Sequence, residues 1–383
     1  MRHIHDLFLL NPDVIFLNHG SFGATPKPVM DVYQSWQREL EYQPVQFLVA
    51  DLFNHLEYAR QVLANYLHTK PDCLVYVPNA TFGVNIVSRS LQLEKGDEVL
   101  ISDHEYGACE FAWEFACKYT GATIIRQPIP LPIYSQEDII EYLWKGVTTR
   151  TKLIFLSHIT SPTAIRFPVE SICQRARDTG IYTFIDGAHA PGQIPLDLDE
   201  IGADFYTGNC HKWMLAPKGS GFLHVQPEVQ KLINPLVISW GWGGNPDFSS
   251  GSRFIDNLQW WGTHDPSAFL SVPSAIEFQK KHRWEQEREN CHSLATDTRK
   301  KIDSLTGLDP ICPDSVEWVN QMFINRLPKD TDNIALKEKL YNNFLIEVPI
   351  IEWNENKFIR VSIQAYNSLD DINALLNALE HLL

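Results

Sequence analysis

The chain lacks a basic excess, a long apolar run and paired cysteines, and each absence excludes something. Its 32 lysines and arginines face 47 acidic residues, a formal net charge of −15. A nucleic-acid or anionic-membrane surface calls for the opposite balance. No apolar stretch approaches the roughly 20 residues needed to cross a bilayer. The opening "MRHIHDLFLLNPDV" has only a short apolar stretch, too little for a signal-peptide core. The cysteines at 73, 109, 117, 173, 210, 291 and 312 form no CxxC pair and are odd in number. That pattern fits reduced thiols in a cytoplasmic protein, not a disulfide framework. The histidines show no HxxxH or similar spacing, so no metal site is expected. Internal repeats, low-complexity tracts and long charge blocks are missing too.

What is there is an ordinary globular composition, 44% hydrophobic and 21% charged over 383 residues. That length implies two domains, or one large α/β domain with an appendage. Apolar strand-like runs alternate with helix-like stretches through the first two thirds. "LVYV" (74–77), "EVLIS" (98–102), "ATIIR" (122–126), "TKLIFLS" (151–157), "IYTFID" (181–186), "ADFYTG" (203–208) and "GSGFLHV" (219–225) are the strands. Such runs between helices mark a mainly parallel sheet buried on both faces. Ligands collect at the carboxyl ends of its strands, and there stand "NAT", "DHEY", "SHITSP", "DGAHA" and "GNCHKW". Past residue 265 the texture changes. "SAFLSVPSAIEFQKKHRWEQERENCHSLATDTRKKIDSL" reads as long amphipathic helix, and "QMFINRL" and "KFIRVSI" read as strands of a smaller α+β domain. "ISWGWGGNPDFSSGSRF" (238–254) reads as an ordered loop.

The lysine in "TGNCHKWMLAPKGSGFLHV" raises the chemical question. A buried ammonium is costly unless paired, neutralised or covalently used. Asp186 ends one apolar strand, and Lys212 follows the next. A carboxylate and a lysine so placed imply a cofactor held between them, and pyridoxal phosphate needs both: a lysine for the Schiff base and a carboxylate facing the ring nitrogen. Its phosphate needs amides at a helix start, which Asn79, Ala80 and Thr81 supply.

The stretches "LNHGSFGATP" (17–26), "NAT" (79–81), "DHEYGA" (103–108), "SHITSPT" (157–163), "DGAHAPG" (186–192), "TGNCHKW" (207–213), "WGTHDPSA" (261–268) and "IRVSIQAYN" (359–367) span nearly the whole chain. Together they resemble the class V aminotransferase family of fold-type I pyridoxal-phosphate enzymes, in its isopenicillin N epimerase-like group. The resemblance implies a large cofactor-binding domain (26–264), a small C-terminal domain (265–383) and an N-terminal segment (1–25) lining the active site. It implies that Lys212 forms the Schiff base and shuttles protons, and that Asp186 pairs with the pyridinium nitrogen. His189 would hydrogen-bond the phenolate oxygen, and Tyr106 would stack on the ring face opposite the lysine. Thr81, with Ala80, Asn209 and His211, would hold the phosphate. Thr263 would reach the phosphate of the neighbouring subunit, which makes the active unit a homodimer with tryptophans 260 and 261 at its apolar centre. Arg360 would grip the α-carboxylate of an amino-acid substrate, and Asn18 and His19 would line its pocket.

Plainer readings compete for single residues: a helix cap for Asp186 or Thr81, core histidines for His189 and His211, an ion pair for Arg360, a tight turn for "HGSFG". Many relatives have glycine where this chain has Ala164. The reaction stays open at this level. A desulfurase needs a mobile cysteine, and no cysteine follows Cys312. Transamination usually needs a second pocket for a dicarboxylate. Epimerisation needs proton donors on both faces of the α-carbon. Carbon–sulfur elimination needs only Lys212 and a leaving group. A catalytically idle relative kept for binding or assembly is the alternative of another kind, and the intact Lys212, Asp186 and His189 favour an enzyme.

Overall fold

Strands without a polar face must be covered on both sides, and the chain covers them with the helices that separate them. The computed structural model describes residues 4–245 and 248–383. After a two-residue strand, β1 (Ile15–Phe16), the apolar runs become β2 (Leu74–Val77), β3 (Glu98–Ser102), β4 (Thr123–Gln127), β5 (Thr151–Ser157), β6 (Tyr182–Gly187), β7 (Phe205–Asn209) and β8 (Gly221–Val225). The last seven form one sheet in the order β2-β8-β7-β6-β5-β3-β4. Only β8 runs against the rest, antiparallel to both β7 and β2. The carboxyl ends of β2, β3, β5, β6 and β7 therefore share one edge. β4 departs from the expectation of burial on both faces: it is an edge strand and, unlike β2 at the other edge, stays partly open to solvent.

Local signals set the helices over this sheet. Asn79 caps helix 80–90 by accepting the Phe82 amide, and Gly121 and Gly180 close helices 107–120 and 169–179 in the left-handed conformation.

The C-terminal part holds β9 (Met322–Arg326), β10 (Ile346–Glu347), β11 (Ile350–Trp353) and β12 (Asn356–Ser362). β11, β12 and β9 make an antiparallel sheet, while β10 pairs in parallel with β1. The N-terminal residues are thus stitched to the C-terminal sheet, with the Ser362 amide donating to the Leu17 carbonyl at 2.9 Å. The long amphipathic stretch is not one helix. It breaks into 267–270, 272–281 and 284–306, with Pro273 opening the second piece and Arg283, at φ +52°, turning the chain before the third. The amphipathic period alone could not reveal a single left-handed residue. Of the tract 238–254, residues 246 and 247 lie outside the described residues; the rest is a short 3₁₀ turn, loop and the first residues of helix 253–259. Among the described residues no helix is long and apolar enough to cross a membrane.

Candidate active site

Asp186 ends β6 in register with Ser157 on one side and Thr207 on the other, so its side chain leaves the sheet between two neighbouring strand ends. Its carboxylate is buried. One oxygen accepts the Ala188 amide at 2.8 Å and the other the Cys109 thiol at 3.4 Å. Burial pushes its pKa up, against the Ala188 amide, the thiol and the charge of Lys212.

One strand on, the chain leaves β7 in a turn that carries Lys212. The Cys210 and His211 amides both donate to the Ser220 carbonyl, and the Leu215 amide donates to the Lys212 carbonyl at 3.0 Å. Two left-handed glycines press on this turn. A Cβ on Gly23 (φ +70°) would stand 2.1 Å from the His211 carbonyl oxygen, and one on Gly192 (φ +86°) 2.3 Å from that of Trp213. Glycine at both places is a packing requirement. The Lys212 amine lies 3.3 Å from His189 Nε2. Burial, then the charge of Arg360, lowers its pKa to about 8, against the opposing pull of Asp186. A fraction of the chains therefore carries the free amine near neutral pH.

The tautomer of His189 follows from its neighbours. Trp213 Nε1–H donates to Nδ1 at 3.4 Å, so in the neutral ring the proton sits on Nε2, facing the lysine. Burial and the charge of Lys212 hold its pKa well below the usual value, which keeps the ring neutral. His211 is the reverse case. Its Nδ1 donates to the Ser220 carbonyl at 3.0 Å, which leaves Nε2 as an acceptor, and burial lowers its pKa to about 4. Its neutral Nε2 has no proton to give, so it must take one up to donate to a fully ionised phosphate.

Helix 80–90 begins beside this turn. The Phe82 and Gly83 amides go to Asn79, and the Ala80 amide goes to Asn209 Oδ1 at 2.8 Å. The first-turn amide left over is that of Thr81. Ala80, named above as a phosphate ligand, thus has its N–H already engaged, and Asn209 reaches the helix start with its carbonyl while keeping its NH2 free.

Opposite this floor stands Arg360 on β12, almost fully buried. It donates to the Ser161 carbonyl at 2.7 Å and to Ser21 Oγ at 3.1 Å, while its Nε has no partner. Burial lowers its pKa to about 10. Tyr106, half exposed, precedes helix 107–120, and beside it the buried Glu105 accepts from Ser102 and from the amide and hydroxyl of Ser157. Burial raises the Glu105 carboxyl to about 8.

One cavity of about 320 Å³ opens here, and ten of the thirteen site residues named from the sequence are in its wall: Asn79, Ala80, Thr81, Tyr106, Asp186, His189, Asn209, His211, Lys212 and Arg360. Three are not. Asn18 donates to Glu347, and His19 is buried behind the wall; the pocket instead meets the next residues, Gly20, Ser21 and Phe22. Thr263 lies in a separate shallow groove with Val45, Val49 and Trp260. Trp260 packs on Phe248 and lines the groove that holds Thr263, while Trp261, partly buried, stacks on His264 and leans on Phe82. Ser157, Ile159 and Ser161 also line the cavity and were not singled out. Their signal was position: "SHITSP" follows a strand, and every such end contributes.

Among the described residues, four polar groups here are left without a complement of their own. Lys212 has no carboxylate within 4 Å among the described residues, Asp186 has one amide and a weak thiol donor, the Thr81 amide is unclaimed, and Arg360 Nε is bare. An aldehyde, a protonated ring nitrogen, a phosphate and a substrate carboxylate would complete them in turn, so the residues present fit pyridoxal phosphate with an amino acid.

Comparison with known proteins agrees. The family model described as Aminotransferase class-V matches residues 15–375. The isopenicillin N epimerase of Amycolatopsis lactamdurans is 36% identical over 97% of this chain and 96% of its own. The L-cysteine desulfhydrase of Arabidopsis thaliana is 27% identical over 96% and 87%. A solved structure of C-DES with glycine covalently linked to its pyridoxal-phosphate cofactor superposes with a TM-score of 0.84 at 19% identity, over 99% of this chain and 98% of that one. The chain belongs to the class V aminotransferase family of pyridoxal-phosphate-dependent enzymes, and its fold is theirs.

Proposed function

We propose that this enzyme moves a proton at the α-carbon of an amino acid that presents a free α-carboxylate, and that inversion of that carbon is its reaction. One observation carries the reading: a buried amine with no carboxylate partner and a buried guanidinium with a bare Nε share one cavity, where burial lowers the amine's pKa to about 8. The first can take a proton near neutral pH; the second can hold the carboxylate through a fork of N–H donors.

The roles follow from the donors and acceptors described. Bound here, pyridoxal phosphate would draw electrons from the substrate α-carbon and make its proton acidic. Lys212 holds the cofactor and takes the α-proton on one face. Asp186, whose buried carboxyl has only the Ala188 amide and the Cys109 thiol as donors, would keep the proton on the ring nitrogen. His189 donates from Nε2 to the ring oxygen. The Thr81 amide and hydroxyl, the Asn209 amide and a protonated His211 hold the phosphate, and Ala80 serves by its place in the first helical turn. Tyr106 would cover the face opposite Lys212 and would supply the returning proton there. Tyr106 and Arg360 line the same cavity, which supports a position for Tyr106 near the substrate carboxylate. Isopenicillin N epimerases among the relatives favour this outcome.

Carbon–sulfur lysis is the second reading, favoured by the desulfhydrase relatives and by its need of Lys212 alone. All seven cysteines are buried and none lines the cavity, which supports free release of sulfur rather than capture on a protein thiol. Incubation with L-amino acids in deuterated water separates the two. Deuterium at the α-carbon with a growing D-enantiomer supports epimerisation, while pyruvate and sulfide from cysteine or cystine support lysis. Neither product from any member of the panel would sink both.

We place the enzyme in the cytoplasm as a homodimer, with divisions at residues 25 and 264, and with Thr263 reaching the partner subunit's phosphate site. Its position away from its own cavity, beside the exposed Val45 and Val49, supports this. Light scattering should give twice the chain mass; a monomer of full activity defeats the idea.

A further inference from the structure

His19 is fully buried, and it joins three parts of the chain that are far apart in sequence. Its Nε2 lies 3.1 Å from the carbonyl oxygen of Lys212, and its Nδ1 2.9 Å from the hydroxyl of Tyr366. A carbonyl can only accept, so the ring proton is on Nε2, and Nδ1 accepts from the tyrosine. The Gln364 amide nitrogen, 3.4 Å from the same Nε2, faces a donor and is a packing contact. The ring leans on Trp213 with centroids 4.9 Å apart. Burial pushes the pKa down to about 3, and the nearby charges of Lys218 and Lys212 act in the same direction.

His19 heads a strap of chain laid against the lysine turn. Further along, the Lys218 amine donates to the Gly23 carbonyl at 2.9 Å, Thr25 donates to the Ala216 carbonyl at 3.1 Å, and Gly23 is pressed on the Lys212 backbone. Between these anchors Ser21 touches Arg360. The Lys212 carbonyl therefore receives two donors, the Leu215 amide from within the turn and the imidazole from outside it.

We propose that His19 is a positioning residue for Lys212: its Nε2–H, donated to the lysine's own carbonyl, fixes the turn that aims the amine into the cavity. It touches neither substrate nor cofactor, and the proposal rests on the reading of Lys212 as the amine that holds pyridoxal phosphate. Its effect is on how often the amine is aimed correctly, not on how well the ring and phosphate bind.

The test separates those two quantities. The full-length chain, stripped of cofactor, is mixed with pyridoxal phosphate and quenched with borohydride, and the Lys212 adduct is counted by peptide mass spectrometry. Binding of pyridoxine phosphate, which lacks the aldehyde, is measured alongside. His19→Phe keeps an aromatic ring, a somewhat larger one, and loses the donor; His19→Gln can still donate from its amide. Loss of one buried hydrogen bond is worth about fivefold to tenfold in rate. His19→Phe should slow adduct formation by that factor, His19→Gln should stay within about threefold of the parent, and neither should change pyridoxine phosphate affinity. Equal losses in both variants, or a matching loss of pyridoxine phosphate binding, would overturn the proposal. Should His19→Phe fail to fold, nitrogen NMR of the histidine-labelled parent decides. His19 is expected as the Nε2–H tautomer with no titration between about pH 5 and 9, and a ring that protonates near its ordinary value refutes the assignment. If the parent itself forms no adduct on Lys212, the functional reading fails instead, and the NMR result still judges the hydrogen bond.

Discussion

The floor of the cavity and its rim are built in opposite ways. Asp186, His189, Asn209 and Lys212 come from two neighbouring strands and the turns that follow them. The rim is gathered from afar: Arg360 meets Ser21 across 339 positions and Ser161 across 199. The strands and turns of the floor take their course with the parallel sheet, and the N-terminal strap, through His19, Gly23 and Thr25, needs only to fix the aim of Lys212. The rim exists only when the N-terminal segment, the β5 loop and the C-terminal sheet are all in place. Chemistry is thus assigned to the part that is hardest to misplace, and substrate capture to the part that depends on the whole fold.

Breaking the floor should have the largest effect. Lys212→Ala removes the base and the covalent seat together, so turnover should fall by about three orders of magnitude or more. Asp186→Ala should lose about two to three orders, because the ring nitrogen then has no anion to hold its proton. Steady-state rates on the substrate identified by the deuterium panel check both. Near-normal turnover in either variant would move the chemistry elsewhere in the cavity.

Breaking the rim should act on capture and leave the floor intact. Arg360→Lys keeps the charge but loses the fork and its contacts with both Ser21 and Ser161. One charge-assisted hydrogen bond is worth about 1.5–3 kcal/mol, so kcat/KM should drop about tenfold to a hundredfold, mostly through KM. A fall confined to kcat would mean that Arg360 serves the reaction and not the carboxylate.

The same contrast explains what the sequence could tell. Floor residues were legible because a strand followed by "DGAHA" or "GNCHKW" fixes both the place and the chemical type of the side chain. Arg360 was reached only by resemblance, since a single arginine in "KFIRVSI" has no local signature. Asn18 and His19 were assigned to the pocket for a sound reason, the right segment, but the wrong residues. The segment enters beside Ser362, turns at residues 19–22, and so buries His19 under Lys212 while presenting Gly20, Ser21 and Phe22 to the cavity. Which face of a four-residue turn looks outward depends on contacts with Tyr366 and Trp213, and no periodicity encodes that.

Floor and rim still communicate through charge. Arg360 is the second cause, after burial, of the lowered lysine pKa. The free amine is the reactive form, and it gains population as pH rises through the pKa. The rate of Lys212 adduct formation in the parent should therefore climb through about pH 8 and level off above it. Arg360→Gln removes the positive neighbour, raises the lysine pKa toward its ordinary value and moves that rise to higher pH. At pH 8 the variant should react more slowly by a factor of a few, as expected for two charges interacting through a partly solvated interior. An unshifted profile would leave burial as the whole cause.

The smallest effect belongs to the loop that carries Ser161 to the rim. Ala164 sits there at φ +55°, buried, with its amide donating to the Thr160 carbonyl at 2.9 Å. The left-handed conformation costs an alanine about 1–2 kcal/mol. Ala164→Gly would relieve that, but it adds about 0.5–1 kcal/mol of unfolded-chain entropy and removes a buried methyl worth up to about 0.8 kcal/mol. These nearly cancel, so the urea midpoint should shift by no more than about 0.5 kcal/mol equivalent and the KM should hold. Ala164→Val is the sharper probe, because a β-branched side chain fits this backbone far worse. It should cost about 2 kcal/mol or more and, by displacing Ser161, raise KM while leaving adduct formation at Lys212 unchanged. If adduct formation falls with KM, the loop supports the floor as well, and the separation of floor from rim is lost at this point.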